Sequence, residues 1–247
     1  MENTPDLSLV IPLLNESKNV ERVTTDMINA FERDGVTLQV VLVNNGSTDD
    51  TGAIIDRMSA EYHSLRTVHL KENQGYGGGI LEGMAQGDGA HVGYTCGDGQ
   101  ISAEDHVAVF RKLSEGGYDI CRVVRTVRGD GPWRVLITSV YHFFFPLFFG
   151  IRAKDINAHP KMYRRSSFEK LAISHRDWFI DAEALMKAHR LGYQVAEVPA
   201  RFEARQHGRS NIRLKTIFEF AANMVKYRLG GIEKLFPAGE PGKAQFS

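Results

Sequence analysis

Apolar and amphipathic stretches alternate along the first half of this chain. Residues 7–14 (LSLVIPLL) make an apolar run of the length of one buried strand. Residues 19–33 instead space Val20, Val23, Met27 and Phe31 three or four apart, which places them on one helix face. The alternation continues, with strands expected at 38–43, 65–70, 90–95 and 118–124 and helices at 50–62, 77–86 and 103–113. Strands alternating with helices imply βαβ units and a mostly parallel central sheet flanked by helices. The second half is less regular. It reads as a helix at 178–189, a strand at 194–198 stopped by Pro199, and a long amphipathic helix at 212–227. No internal repeat or low-complexity linker divides the chain. The reading is one α/β domain over 1–236, with halves at 7–124 and 125–230 and a disordered tail at 237–247.

Composition narrows the function classes. The 247 residues are 43% hydrophobic, enough to bury a sizeable core. Lys+Arg and Asp+Glu both number 30, so no net charge draws the chain to nucleic acid. Any anion must be held by a local site. Two cysteines, Cys96 and Cys121, build neither a disulfide framework nor a four-cysteine zinc site, and a reducing, cytoplasmic compartment is expected. The start, MENTPDLSLV, lacks the basic and apolar segments of a secretory signal. No stretch reaches the roughly 18 uninterrupted apolar residues of a membrane span.

In open parallel sheets ligands bind at the carboxyl ends of the strands. The loops expected there are Pro12-Leu13-Leu14-Asn15-Glu16, Asn44 to Thr51, Asn73 to Gly79, and Cys96-Gly97-Asp98-Gly99-Gln100. All four are polar and three are glycine-rich. Ser47, Thr48 or Asp49 suits a plain helix N-cap. The glycines at 75–79 suit either a flexible loop or close backbone approach to a phosphate at a helix start. They form neither a P-loop, since no Gly-Lys-Ser/Thr follows, nor a dinucleotide fingerprint in its usual first turn. Asp98 ends an apolar strand between two glycines. It reads equally as a turn aspartate or as an oxygen ligand for Mg²⁺ or Mn²⁺ shared with substrate phosphates.

Together the segments VIPLLNE, VNNGSTDDT, NQGYGGG and GDGQ, in that order and spacing, resemble glycosyltransferase family 2. The branch they are most similar to is that of the dolichol- and polyprenyl-phosphate mannose or glucose synthases. GYQVAEVPARFEARQHGRSN resembles that branch's closing R-x-x-G-x-S motif, and the likeness covers about residues 7–228. It implies a GT-A fold, Rossmann-like, and an inverting transfer of sugar from a nucleotide-diphosphate sugar.

The resemblance also implies roles. Pro12, Asn15 and Glu16 border the nucleoside, Asn45 faces the base, and Gly75 and Gly77 lie along the donor. Asp98 and Gln100 hold Mg²⁺ or Mn²⁺ and the diphosphate, while Arg205 and Ser210 clamp phosphate, a task suited to the planar guanidinium fork. Two departures stand out. Asn44 and Asn45 occupy the place of two aspartates, which suggests a donor other than GDP-mannose. Cys96 replaces the first aspartate of an Asp-x-Asp pair, leaving one carboxylate for the cation.

For a lipid-phosphate acceptor no strong base is needed, whereas a sugar hydroxyl requires one. Asp181 is the candidate base by motif position and Glu183 the reserve; an N-terminal helix acid is the plain alternative. Arg125, Arg134, Thr138 and Lys161 fall where relatives hold the acceptor, although His159-Pro160 departs from the family's usual Gly-Phe. Arg125, Arg128 and Arg134 precede the aromatic run around Phe143–Phe149, which suits a membrane surface, a buried helix or a homo-oligomer interface. With no membrane span, the chain is expected to be cytoplasmic or peripheral on the cytoplasmic face. A soluble acceptor and a non-catalytic nucleotide-sugar-binding module are the rivals. A nucleotidyltransferase would need a lysine and a glycine-rich loop near the start, and residues 10–17 hold neither.

Overall fold

A computed structural model describes residues 4–127, 145–147, 149–151, 155–203, 219, 222–227, 229 and 245–246. The first half follows the expected alternation: β1 (Leu7–Leu13), α1 (Val20–Arg33), β2 (Leu38–Asn45), α2 (Thr51–Glu61), β3 (Leu65–Leu70), α3 (Gly75–Met84) and β4 (His91–Tyr94). Then come α4 (Ala103–Glu115), β5 (Ile120–Val127), β6 (Lys161–Arg164), α5 (Arg165–Leu171), α6 (Ile180–Arg190), β7 (Gln194–Arg201) and β8 (Gln245–Phe246). The sheet order is β3-β2-β1-β4-β6-β5-β7-β8. β6 runs antiparallel to both its neighbours, and every other pair is parallel.

Strand alternation sorts the core into layers. Leu7 and Leu9 pack with Met27 and Phe31 of α1 and Phe110 of α4. Val10, Val41 and Val43 point the other way, onto Ile80 and Met84 of α3. A strand covered on both faces needs apolar residues at consecutive positions, which is why β1 and β2 read as continuous runs. α1 closes with Gly35 at φ 70. Val36 N–H then reaches Phe31 O and Gly35 N–H reaches Glu32 O, a Schellman ending that only a residue tolerant of positive φ permits cheaply.

β7 differs from expectation. Pro199 lies inside the strand, opposite Val124 of β5, and does not stop it. Among the described residues β8 pairs with β7 at Gln194 and Val195 alone, and none pairs on that side at Pro199, where a missing N–H costs little. Another core cluster joins Phe145, Ile151 and Ile156 to Phe179, Leu185 and Met186 of the α6 region and to Met224 and Tyr227. Among the described residues no helix is long and apolar enough to cross a membrane.

The chain leaves β1 on one side for β2 and β3, then returns to place β4 on the other side. The β1/β4 boundary is therefore a topological switch point, and its carboxyl end opens a crevice between diverging loops.

Candidate active site

The loops after β1 and β2 interlock. Asn15 adopts φ 57, and its Oδ1 accepts the Thr48 N–H at 2.8 Å. In return Asn15 N–H donates to Ser47 Oγ at 3.0 Å and Glu16 N–H to Thr51 Oγ1 at 2.9 Å. Asp49 accepts from Ser17 N–H at 3.2 Å and Thr51 N–H at 3.0 Å. Burial pushes its pKa up, but these hydrogen bonds outweigh it and hold the carboxyl below its usual value. Asp49 thus secures the turn into α2. Glu16 Oε2 accepts from Asn19 Nδ2 at 2.7 Å, and Pro12 lies against Gly79 of α3.

Two expectations on the donor side change. Asn45 is 4% exposed, and both polar atoms of its side chain are engaged within the protein. Its Nδ2 donates to Gly75 O at 2.9 Å and its Oδ1 accepts from Gln74 N–H at 2.9 Å, so both ends of the amide fasten β2 to the start of α3. An aspartate there could accept but not donate, which gives a structural reason for asparagine. Nor do Gly75 and Gly77 lie open to a phosphate. A Cβ on Gly75 would stand 2.6 Å from Arg176 O, and one on Gly77 would stand 2.5 Å from His175 O. Gly78 N–H donates to Arg176 O at 2.9 Å. The first turn of α3 is occupied by the backbone of residues 175–177, and the glycines make room for it.

Asp98 sits at the carboxyl end of β4, beside β1, and is 7% exposed. Its Oδ1 accepts the Gln100 N–H at 3.2 Å. Gln100 Nε2 donates to Glu203 O at 2.8 Å, and Glu203 N–H donates to Gln100 O at 2.8 Å. This pair ties the Asp98 loop to the segment leaving β7. Gly97 lets the loop pack on Leu13, since a Cβ would stand 2.6 Å from Leu13 Cδ2, and Gly99 turns it at φ 66. Cys96 is hydrogen-bonded to the Tyr76 hydroxyl. Among the described residues no three His, Cys, Asp or Glu side chains gather as a metal cage. A lone carboxylate with a neighbouring amide oxygen fits Mg²⁺ or Mn²⁺, which take hard oxygen ligands largely from substrate phosphates and water.

The acceptor-side expectations change further. Arg125 is engaged by Asp155, whose Oδ2 accepts from Nε at 2.5 Å, and its guanidinium lies 4.8 Å from the Phe202 ring centre. Lys161 and Asp181 are both fully buried, with Nζ 2.5 Å from Asp181 Oδ1. Tyr94 OH also donates to Asp181 Oδ1, at 2.7 Å. Asp181 is therefore the counter-ion of Lys161, and Lys161 does not reach outward to an acceptor. Register explains the pairing, because Tyr94 of β4 faces Lys161 of β6 across the antiparallel ladder. Burial lowers the pKa of Lys161, and Asp181 opposes that by favouring the charged amine. Glu183, the reserve base, is fully buried and bonds Lys187, Ser174 and His175. Burial raises its pKa, but the bonds from His175 and Lys187 prevail and bring it to about 2.

Of three residues that carry this interior, Tyr76 and Tyr94 were not singled out from the sequence, and His159 was noted only as a departure from the family pattern. Tyr76 OH lies 2.7 Å from His159 Nε2, and His159 Nε2 lies 3.9 Å from Asp181 Oδ2. Burial lowers the His159 pKa to about 3, against the upward pull of Asp181. Burial raises those of Tyr76 and Tyr94. The departure from Gly-Phe at His159-Pro160 was the available signal. Arg134, Thr138, Arg205 and Ser210 lie outside the described residues.

Known proteins agree with this architecture. The chain is 27% identical over 207 residues to a glycosyltransferase, AglD, of Haloferax volcanii, covering 80% of this chain and 33% of that one. It is 29% identical over 206 residues to the undecaprenyl-phosphate 4-deoxy-4-formamido-L-arabinose transferase of Pseudomonas syringae, covering 83% of this chain and 60% of that one. It thus spans a third to three-fifths of the length of these two relatives. It is 25% identical over 237 residues to the polyprenol monophosphomannose synthase of Mycolicibacterium smegmatis, covering 90% and 87%. Among solved structures, glucosyl-3-phosphoglycerate synthase from Mycobacterium tuberculosis with Mn²⁺ and UDP superposes with a TM-score of 0.70 at 16% identity, covering 98% and 88%. A mannosyltransferase from Pyrobaculum calidifontis with GDP-Man and Mn²⁺ superposes at 0.64 with 18% identity, covering 97% and 67%. The residue pattern described as Glycosyl transferase family 2 matches residues 8–172, and the chain belongs to that family.

Proposed function

We propose that the chain transfers a sugar, with inversion, from a nucleoside-diphosphate sugar to a polyprenyl phosphate at a membrane surface. The observation that carries the acceptor choice is the state of the two candidate bases. Asp181 is paired with Lys161 inside the protein, and Glu183 with Lys187. A hydroxyl acceptor needs a carboxylate able to take its proton. A phosphate oxygen is already anionic at neutral pH and needs none. Two relatives are named for polyprenyl- and undecaprenyl-phosphate chemistry, which supports the same choice.

In this mechanism an acceptor phosphate oxygen attacks the anomeric carbon. The bond from that carbon to the donor diphosphate breaks, and the nucleoside diphosphate leaves with the electron pair. The protein's share is alignment and charge stabilisation. Asp98, with Gln100, would hold Mg²⁺ or Mn²⁺, which supplies positive charge to the leaving diphosphate. Arg205 comes two residues after Glu203, whose backbone is bonded to Gln100.

Membrane contact is supported by apolar side chains in the region of the Phe145 core cluster: Leu147 is 68% exposed and Leu229 is 81% exposed. The donor half is tested with purified chain, a panel of UDP, GDP, CDP and TDP sugars, and Mn²⁺. One donor should turn over, and Asp98→Ala should lower turnover by about a hundredfold, the scale of losing a charge-stabilising group. Undiminished turnover would remove Asp98 from the site, and none from any donor in the parent chain would favour a binding module.

A further inference from the structure

The eight-residue connection from Thr95 to Ser102 carries Asp98 in its middle, and one side chain spans its two ends. His106, one turn into α4, is 1% exposed. Its Nε2 lies 2.8 Å from Thr95 Oγ1 and its Nδ1 lies 2.7 Å from Ser102 O. A carbonyl only accepts, so Nδ1 carries the proton and Nε2 accepts from the Thr95 hydroxyl. Each end has a further anchor. Thr95 N–H donates to Val10 O of β1 at 3.0 Å, and Ser102 Oγ accepts Asp105 N–H at 3.1 Å as the α4 N-cap. The imidazole therefore joins the β1/β4 edge to the start of α4.

We infer that His106 is a positioning residue that fixes where the Asp98 carboxylate meets the donor diphosphate and its cation. The inference rests on the donor-site reading. Partners that orient a metal-facing loop, without touching the metal, commonly change its affinity by about 10- to 100-fold when removed.

The test measures Mn²⁺ bound in the presence of UDP or GDP, from the loss of the free-ion electron spin resonance signal, on the full-length chain. Thr95→Val deletes only the hydroxyl. His106→Asn keeps a donor near the place of Nδ1 and deletes Nε2. Each should raise half-saturating Mn²⁺ by about tenfold, with the double variant no worse than either, because both remove one bond. Thr95→Ser, which retains the hydroxyl, should stay within about twofold of the parent. Parent-like Mn²⁺ binding by Thr95→Val and His106→Asn would overturn the inference while leaving the donor site intact. If the parent itself binds no Mn²⁺ with either nucleotide, the donor-site reading fails and the inference with it.

Discussion

Lys161 and Asp181 form an ion pair with no exposed side-chain surface on either partner. Removing one member of such a pair strands a charge in the interior, which costs about 3–5 kcal/mol, whereas replacing both by apolar groups is often neutral. Asp181→Asn and Lys161→Met should each lower unfolding stability on that scale. The double replacement Lys161→Met with Asp181→Leu should recover most of it, as read by urea denaturation. A catalytic base would behave otherwise, with Asp181→Asn losing turnover at unchanged stability.

Gly77 offers a second contrast. Its first-turn backbone packs on His175 O and Asp177 O, where a Cβ would stand 2.5 and 2.8 Å away. Gly77→Ala should destabilise by about 1–3 kcal/mol, the usual penalty for overpacking. Thermal and chemical denaturation check this. A donor KM that rises with no loss of stability would restore the phosphate-loop role.

These two sites mark where the sequence could and could not be read. Parallel strands buried on both faces show as apolar runs, so β1, β2 and β4 and the edge that collects their loops were visible. Asp98 could be placed at that edge, where it reads equally as a turn aspartate or a cation ligand, and only the family resemblance favours the ligand. Glycine at 75–79 announced a close approach but not what approaches, and the answer came from residues about a hundred positions later. In sequence Lys161 and Asp181 read as an acceptor contact and a candidate base, with nothing to pair them. Their union depends on the antiparallel register of β6 and on where α6 packs, and neither leaves a local signal.

Acid should weaken the fold in two stages. Burial holds His106 at about 4 and His159 at about 3, both down from 6.5, so on acidification the unfolded chain takes up their protons first and stability falls from pH 6.5 toward 3. Glu183 is held at about 2, down from 4.5, so its contribution is whole above pH 4.5 and is lost as pH falls toward 2. Glu183→Gln should flatten the lower stage, worth on the order of 3 kcal/mol, in denaturation curves taken from pH 7 to 2. A lower stage unchanged in the variant would refute the assignment.

Leu147 and Leu229 give the membrane contact a direct check. Each buried leucine contributes about 1.5–3 kcal/mol. Replacing both by serine should reduce binding to anionic vesicles by at least about tenfold, measured by sedimentation, with little change in melting temperature. Equal sedimentation of parent and variant would place the contact elsewhere.

The acceptor decides the account as a whole. Purified chain, Mn²⁺ and its labelled donor would be offered a detergent-dispersed polyprenyl phosphate, the same polyprenol without phosphate, and free sugars. Transfer to the phosphate alone, with the label released by mild acid as from a glycosyl phosphodiester, is the expected result. Comparable transfer to the neutral alcohol or to a sugar hydroxyl would show that a proton is being removed after all, and would contradict a site whose two candidate bases, Asp181 and Glu183, are spent on internal pairs.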